Sequence, residues 1–103
     1  MGVRMKKEIK FIVLNALADG TESIVQFQQQ YKSFLNRDIA RNLIISEIKS
    51  LLEIGLIKIV YPADTEILEE DKIEDFWFEL TELGEQEQKT MPFPRSLRKY
   101  ADK

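Results

Sequence analysis

The chain has 103 residues, with 15 Lys or Arg against 18 Asp or Glu and neither cysteine nor histidine. That composition excludes disulfides, thiolate metal sites and imidazole chemistry, and the length suits one domain, residues 1–103, able to bury roughly two thirds of its unfolded surface. The net charge of -3 is segregated: nine basic residues face six acidic ones up to Lys58, one faces eleven from Ile59 to Gln88, and five face one from Lys89 onward, leaving an acidic block that opposes a polyanion between two basic stretches that favour one.

From Lys6 to Ala18, Ile9, Ile12, Val13, Ala16 and Leu17 recur at the spacing of one helix face. The longest apolar run, Phe11 to Leu14, is far short of the ~18 residues that span a bilayer. The basic start leads into Glu8, Lys10 and Asn15 rather than an apolar signal core, so a cytoplasmic protein with no membrane contact is expected. Gly20 supplies a stop. Thr21 or Ser23 can cap a second helix, Ser23 with Gln26 having the spacing of a capping box, and along it Ile24, Phe27, Tyr31 and Phe34 form a stripe.

Asn36 or Asp38 can cap a third helix whose Ala40, Ile44, Ile48, Leu51 and Leu52 share an inward arc. Its other face carries Asn42, Ser46, Lys49 and Glu53, with Leu43 and Ile45 toward the margins. Gly55 suits a left-handed helix end, and Leu56 to Tyr61 reads as a strand closed by Pro62. Ala63 to Asp75 is a loop too polar to pack, although Ile67, Leu68 and Ile73 can fold back onto the body or lengthen the flanking strands. Phe76, Phe78 and Leu80 alternate with Trp77 and Glu79, giving a strand with one buried face. Trp77 is expected to pack under this hairpin or against a second subunit. Thr81 can cap a short fourth helix from Glu82 to about Lys89, inside which Gly84 costs up to ~1 kcal/mol. The core runs over about residues 6–89. The remainder, about 90–103, reads as a basic arm, with Phe93, Leu97 and Tyr100 offered to a second copy.

Without His, Cys, a Gly-rich phosphate loop or a Gly-x-Ser-x-Gly elbow, no enzyme and no cofactor is expected. The carboxylates from Asp64 to Asp75 lack the glycine and alternating spacing of a calcium loop, so no metal is expected either.

The segment ISEIKSLLEIGLIKI resembles the recognition helix and first wing strand of bacterial winged-helix regulators of the MarR and PadR type, and FWFELTELGEQEQ resembles the second wing strand and following helix of the PadR type. The resemblance covers roughly residues 6–89. It implies an α+β winged helix-turn-helix that acts as a small transcriptional regulator, binds double-stranded DNA with its third helix in the major groove, and forms a homodimer. Carried over by position, the groove-facing residues are Asn42, Leu43, Ser46 and Lys49. Asn suits adenine and Lys suits guanine there. Arg37 and Arg41, near the helix start, are candidates for phosphate contact, and Lys6, Lys7 and Lys10 are further ones. Wings of this family usually carry Arg or Lys at the tip, whereas this one reads ADTEILEEDKIED, with Lys72 as its only positive charge. A second reading is therefore a protein-interaction module that uses Leu43 and Ile45 of the third helix, or the acidic wing from Asp64 to Asp75, to bind another protein.

Overall fold

The apolar positions spaced along the first three helices turn inward together. Ile9, Ile12, Val13, Ala16 and Leu17 are all buried, and they share one hydrophobic cluster with Ile24, Phe27, Tyr31, Ile44, Ile48 and Leu51. The computed structural model describes residues 3–94. It builds this cluster from α1 (Val3–Leu17), α2 (Ile24–Leu35) and α3 (Arg41–Glu53), followed by β1 (Ile57–Tyr61), a 3-10 helix (Glu70–Asp75), β2 (Trp77–Leu80) and α4 (Glu82–Thr90).

The strands pair antiparallel, with Ile57 opposite Leu80 and Ile59 opposite Phe78, and a bulge separates Ile59 from Tyr61. Alternation along β2 buries Phe78 and Leu80, and Phe76 just before the strand is buried with them. It leaves Trp77 exposed opposite Tyr61, so Trp77 does not pack under the hairpin. On the far edge of β2, the Glu22 and Phe78 backbones exchange hydrogen bonds of 3.1 and 2.8 Å. That bridge ties the linker before α2 into the sheet. Three helices, a β-hairpin and a closing helix make the fold an α+β winged helix.

Two helix ends differ from expectation. Asn36 does not cap α3: it terminates α2 in the left-handed conformation (φ 53°), its N–H donating to the Lys32 carbonyl. The α3 N-cap is Ala40, which has no capping side chain. Ser23 holds the N-cap position of α2 in extended conformation, yet its side chain makes no capping hydrogen bond. At the far end of α3, Gly55 takes the positive φ expected of it, 80°.

The Thr-Glu-Leu-Gly stretch fastens α4 to the hairpin. Thr81 Oγ1 accepts from the Gly84 N–H at 3.0 Å and donates to the Gly55 carbonyl at 2.6 Å, while the Thr81 N–H donates to the Leu56 carbonyl at 3.1 Å. The first turn of α4 is thereby pressed onto the chain leaving α3. A Cβ on Gly84 would lie 1.9 Å from the Leu56 carbonyl oxygen. Glycine at this position therefore serves close approach of two backbones rather than conformational freedom. Gly84→Ala is expected to destabilise the fold by about 1 to 3 kcal/mol in urea unfolding despite alanine's better helix propensity. Leu83→Ala, at the exposed neighbouring position, serves as control and should change stability by no more than about 0.5 kcal/mol. A stabilised Gly84→Ala variant would contradict the close approach.

Candidate nucleic-acid interface

Burial of Ile44, Ile48 and Leu51 turns Arg41, Asn42, Ser46, Lys49 and Glu53 to solvent. Asn42, Ser46, Lys49 and Glu53 follow the 3- and 4-residue steps of one helix face, so they form a single outward row. Leu43 is half-buried against the core and Ile45 is buried outright. The apolar third-helix face expected for protein binding therefore does not exist: Ile45 belongs to the core. On the helical wheel it stands only about 20° from Leu52, which already lay within the inward arc.

The α2–α3 corner holds Arg37 through structural contacts. Its guanidinium donates to the Tyr31 hydroxyl at 3.0 and 3.3 Å, lies 5.7 Å from the centre of the Tyr31 ring, and stands 3.6 Å from the buried Glu8 carboxylate of α1. Arg37 thus braces the start of α3 against α1 and α2.

The acidic loop also departs from expectation, since it packs. Ile73 is fully buried and Leu68 is partly so, although Ile67 stays exposed. Anchored by Ile73, the 3-10 helix bends at Lys72 and lays Glu70 and Glu74 along α3. Arg41 Nη2 donates to Glu74 Oε2 at 2.7 Å, with a second contact between Nη1 and Oε1, and Lys49 Nζ donates to Glu70 Oε2 at 2.9 Å. Both basic DNA candidates on α3 are therefore ion-paired within the chain. Neither Glu70 nor Glu74 stood out in the sequence. The signal, an i, i+4 carboxylate pair flanking one buried isoleucine, was lost among its acidic neighbours.

Lys6 and Lys10 do not extend the outward row. Both lie near enough to Glu47 to favour its charged form, which places them by a position about 140° around α3 from Asn42. Lys10 in addition pairs with Glu87 of α4 at 2.8 Å. Phe93, expected to face a second copy, packs instead on Phe11 and Phe34 of its own chain, at ring-centre distances of 4.7 and 6.3 Å. Leu97 and Tyr100 lie outside the described residues. Among the described residues no group of three or more acidic side chains is placed to hold a metal ion, and no helix is long and apolar enough to cross a membrane.

The architecture is similar to that of Bacillus subtilis PadR, solved in complex with operator DNA, with a TM-score of 0.61 and 22% sequence identity. The likeness covers 92% of this chain and 52% of that one, so the chain spans about half the length of the protein it matches. At that identity what is shared is the winged-helix fold. No protein-family model matches the chain, and no curated protein does.

Glu47 lies on the inner edge of α3, 2% exposed. Burial raises its carboxyl pKa above the ordinary 4.5, against the opposing pull of Lys6 and Lys10. In the unfolded chain the group titrates normally, so the native state binds the proton more tightly. The stability Glu47 contributes is then fully present below about 4.5 and is lost as pH rises through the raised value. Glu47→Gln removes this loss. The urea midpoint of the variant relative to the parent should therefore be more favourable at pH 7 than at pH 4, and a difference that shrinks with rising pH would contradict the shift.

Proposed function

We propose that the chain is the DNA-binding domain of a small transcriptional regulator, entering the major groove with α3 and contacting the flanking backbone through the helix start. The observation that carries this reading is the outward row of Asn42, Ser46 and Lys49 on the third helix of a winged helix. Arg41 stands at the head of that helix. PadR, which shares the fold, was crystallised with operator DNA, which supports DNA as the ligand here. Asn42 and Lys49 carry groups able to pair with purine edges, Ser46 can donate or accept, and Arg41 has the reach for a phosphate. Leu43, half-buried at the edge of the row, supplies apolar contact. Arg37 acts by fixing the approach angle of α3.

The interaction-module reading loses its apolar surface with the burial of Ile45. Its other surface, the acidic wing, is partly committed to α3. A homodimer, as the resemblance implies, completes the proposal. A monomeric sedimentation mass for the full chain would remove that part of it.

Titrating a labelled mixed-sequence duplex at low salt should give saturable binding. Lys49→Ala and Arg41→Ala should each weaken it several-fold. Absence of any binding signal for the parent protein at low salt would overturn the reading.

A further inference from the structure

The two cations best placed on α3 to meet DNA are each held by a carboxylate of the same chain. Arg41 and Lys49 lie two turns apart, about 12 Å along the helix. Glu74 and Glu70, four residues apart on the 3-10 helix, stand over them in antiparallel order. Between the two carboxylates Ile73 is completely buried, so the segment is seated in the core and not loosely attached by charge. Both ion pairs remain open to solvent, with side-chain exposures between 43% and 55%, and such pairs exchange readily for another anion.

We propose that the segment Glu70–Asp75 is a built-in competitor for phosphate: Glu70 and Glu74 occupy Lys49 and Arg41 in the free protein, and a DNA backbone must displace them. The inference rests on the DNA-binding reading and adds the control of that same surface. It has three consequences. Affinity for any duplex is lowered, because two contacts are exchanged rather than gained. The salt dependence is shallower than the number of basic residues on α3 suggests, since cations already neutralised by carboxylates release fewer counterions on binding. The effect belongs to Glu70 and Glu74 and not to the acidity of the loop as a whole. Glu69 pairs instead with Lys72, at 3.5 Å.

The test compares two charge-matched double variants of the full chain. Glu70→Gln with Glu74→Gln removes the two carboxylates over α3. Glu69→Gln with Asp71→Asn removes the same charge from positions beside them. Each is titrated with a labelled mixed-sequence duplex over a range of salt concentrations, with urea unfolding to confirm that the fold is retained. The first variant should bind about tenfold more tightly at low salt, as two released surface pairs allow, with a log–log salt slope steeper by up to about two. The second should change affinity by no more than about twofold, as loss of a general repulsion screened by salt allows. Equal tightening by both variants would overturn the competitor and leave DNA binding standing, the loop then acting only through its net charge. An unchanged first variant would overturn it as well. Failure of the parent and both variants to bind any duplex would overturn the DNA-binding reading, and the competitor with it.

Discussion

The rotation of α3 about its own axis is the constraint from which the outer surface follows. Ile44, Ile48 and Leu51 are each at most 1% exposed, and a buried aliphatic of this size is worth about 1.5 to 3 kcal/mol relative to exposure. Pairs such as Arg41 with Glu74 contribute about 0 to 1 kcal/mol each when this open to solvent. The apolar terms outweigh the polar ones several times over, so the polar row faces outward because of what the other side buries. The α4 contact reinforces the setting: Thr81 and Gly84 grip the Gly55–Leu56 backbone at the exit of α3, and the Glu8–Arg37–Tyr31 group grips its entrance.

The periodic elements were legible in the sequence because their burial repeats. The faces of α1 and α2, the alternation of β2, the Thr81 cap and the left-handed Gly55 all follow from spacing or residue type alone. Ile45 was misplaced for a different reason. The wheel puts Ile45 beside Leu52, within the inward arc and not at its margin. Asn36 is ambiguous by nature, since asparagine suits both an N-cap and a left-handed C-cap, and only the path of the chain selects between them. The clash that reserves position 84 for glycine lies with Leu56, a partner that no local pattern names. Ile73 was legible only as one of three apolar residues able to fold back, with Ile67 and Leu68. A single buried side chain in a short 3-10 segment has no period to single it out, and the seven carboxylates of the loop argue the other way.

That one isoleucine changes the electrostatic character of the domain. Had the loop projected as a free tip, its carboxylates would have formed a separate acidic lobe. Seated by Ile73, two of them lie against the only basic residues of α3, and the third helix presents its cations already paired. The remaining basic groups divide by role. Arg37 is engaged in the corner, and Lys10 joins α1 to α4. Basic residues counted along the sequence therefore overstate what the outward row of α3 can offer a polyanion.

The order of magnitudes also determines what kind of device such a segment can be. Apolar burial of Ile73 holds the backbone of the segment, whereas the ion pairs only set where Glu70 and Glu74 rest. A side chain can leave its partner while the backbone stays seated, so exchange with an incoming phosphate requires rotamer changes and not unfolding of the loop. Rotamer changes of exposed side chains are fast, on the scale of picoseconds to nanoseconds. A carboxylate displaced this way remains tethered nearby and still opposes the phosphate that replaced it. In the proposed complex the segment thus lowers affinity both before and after the exchange, without any second conformation of the fold.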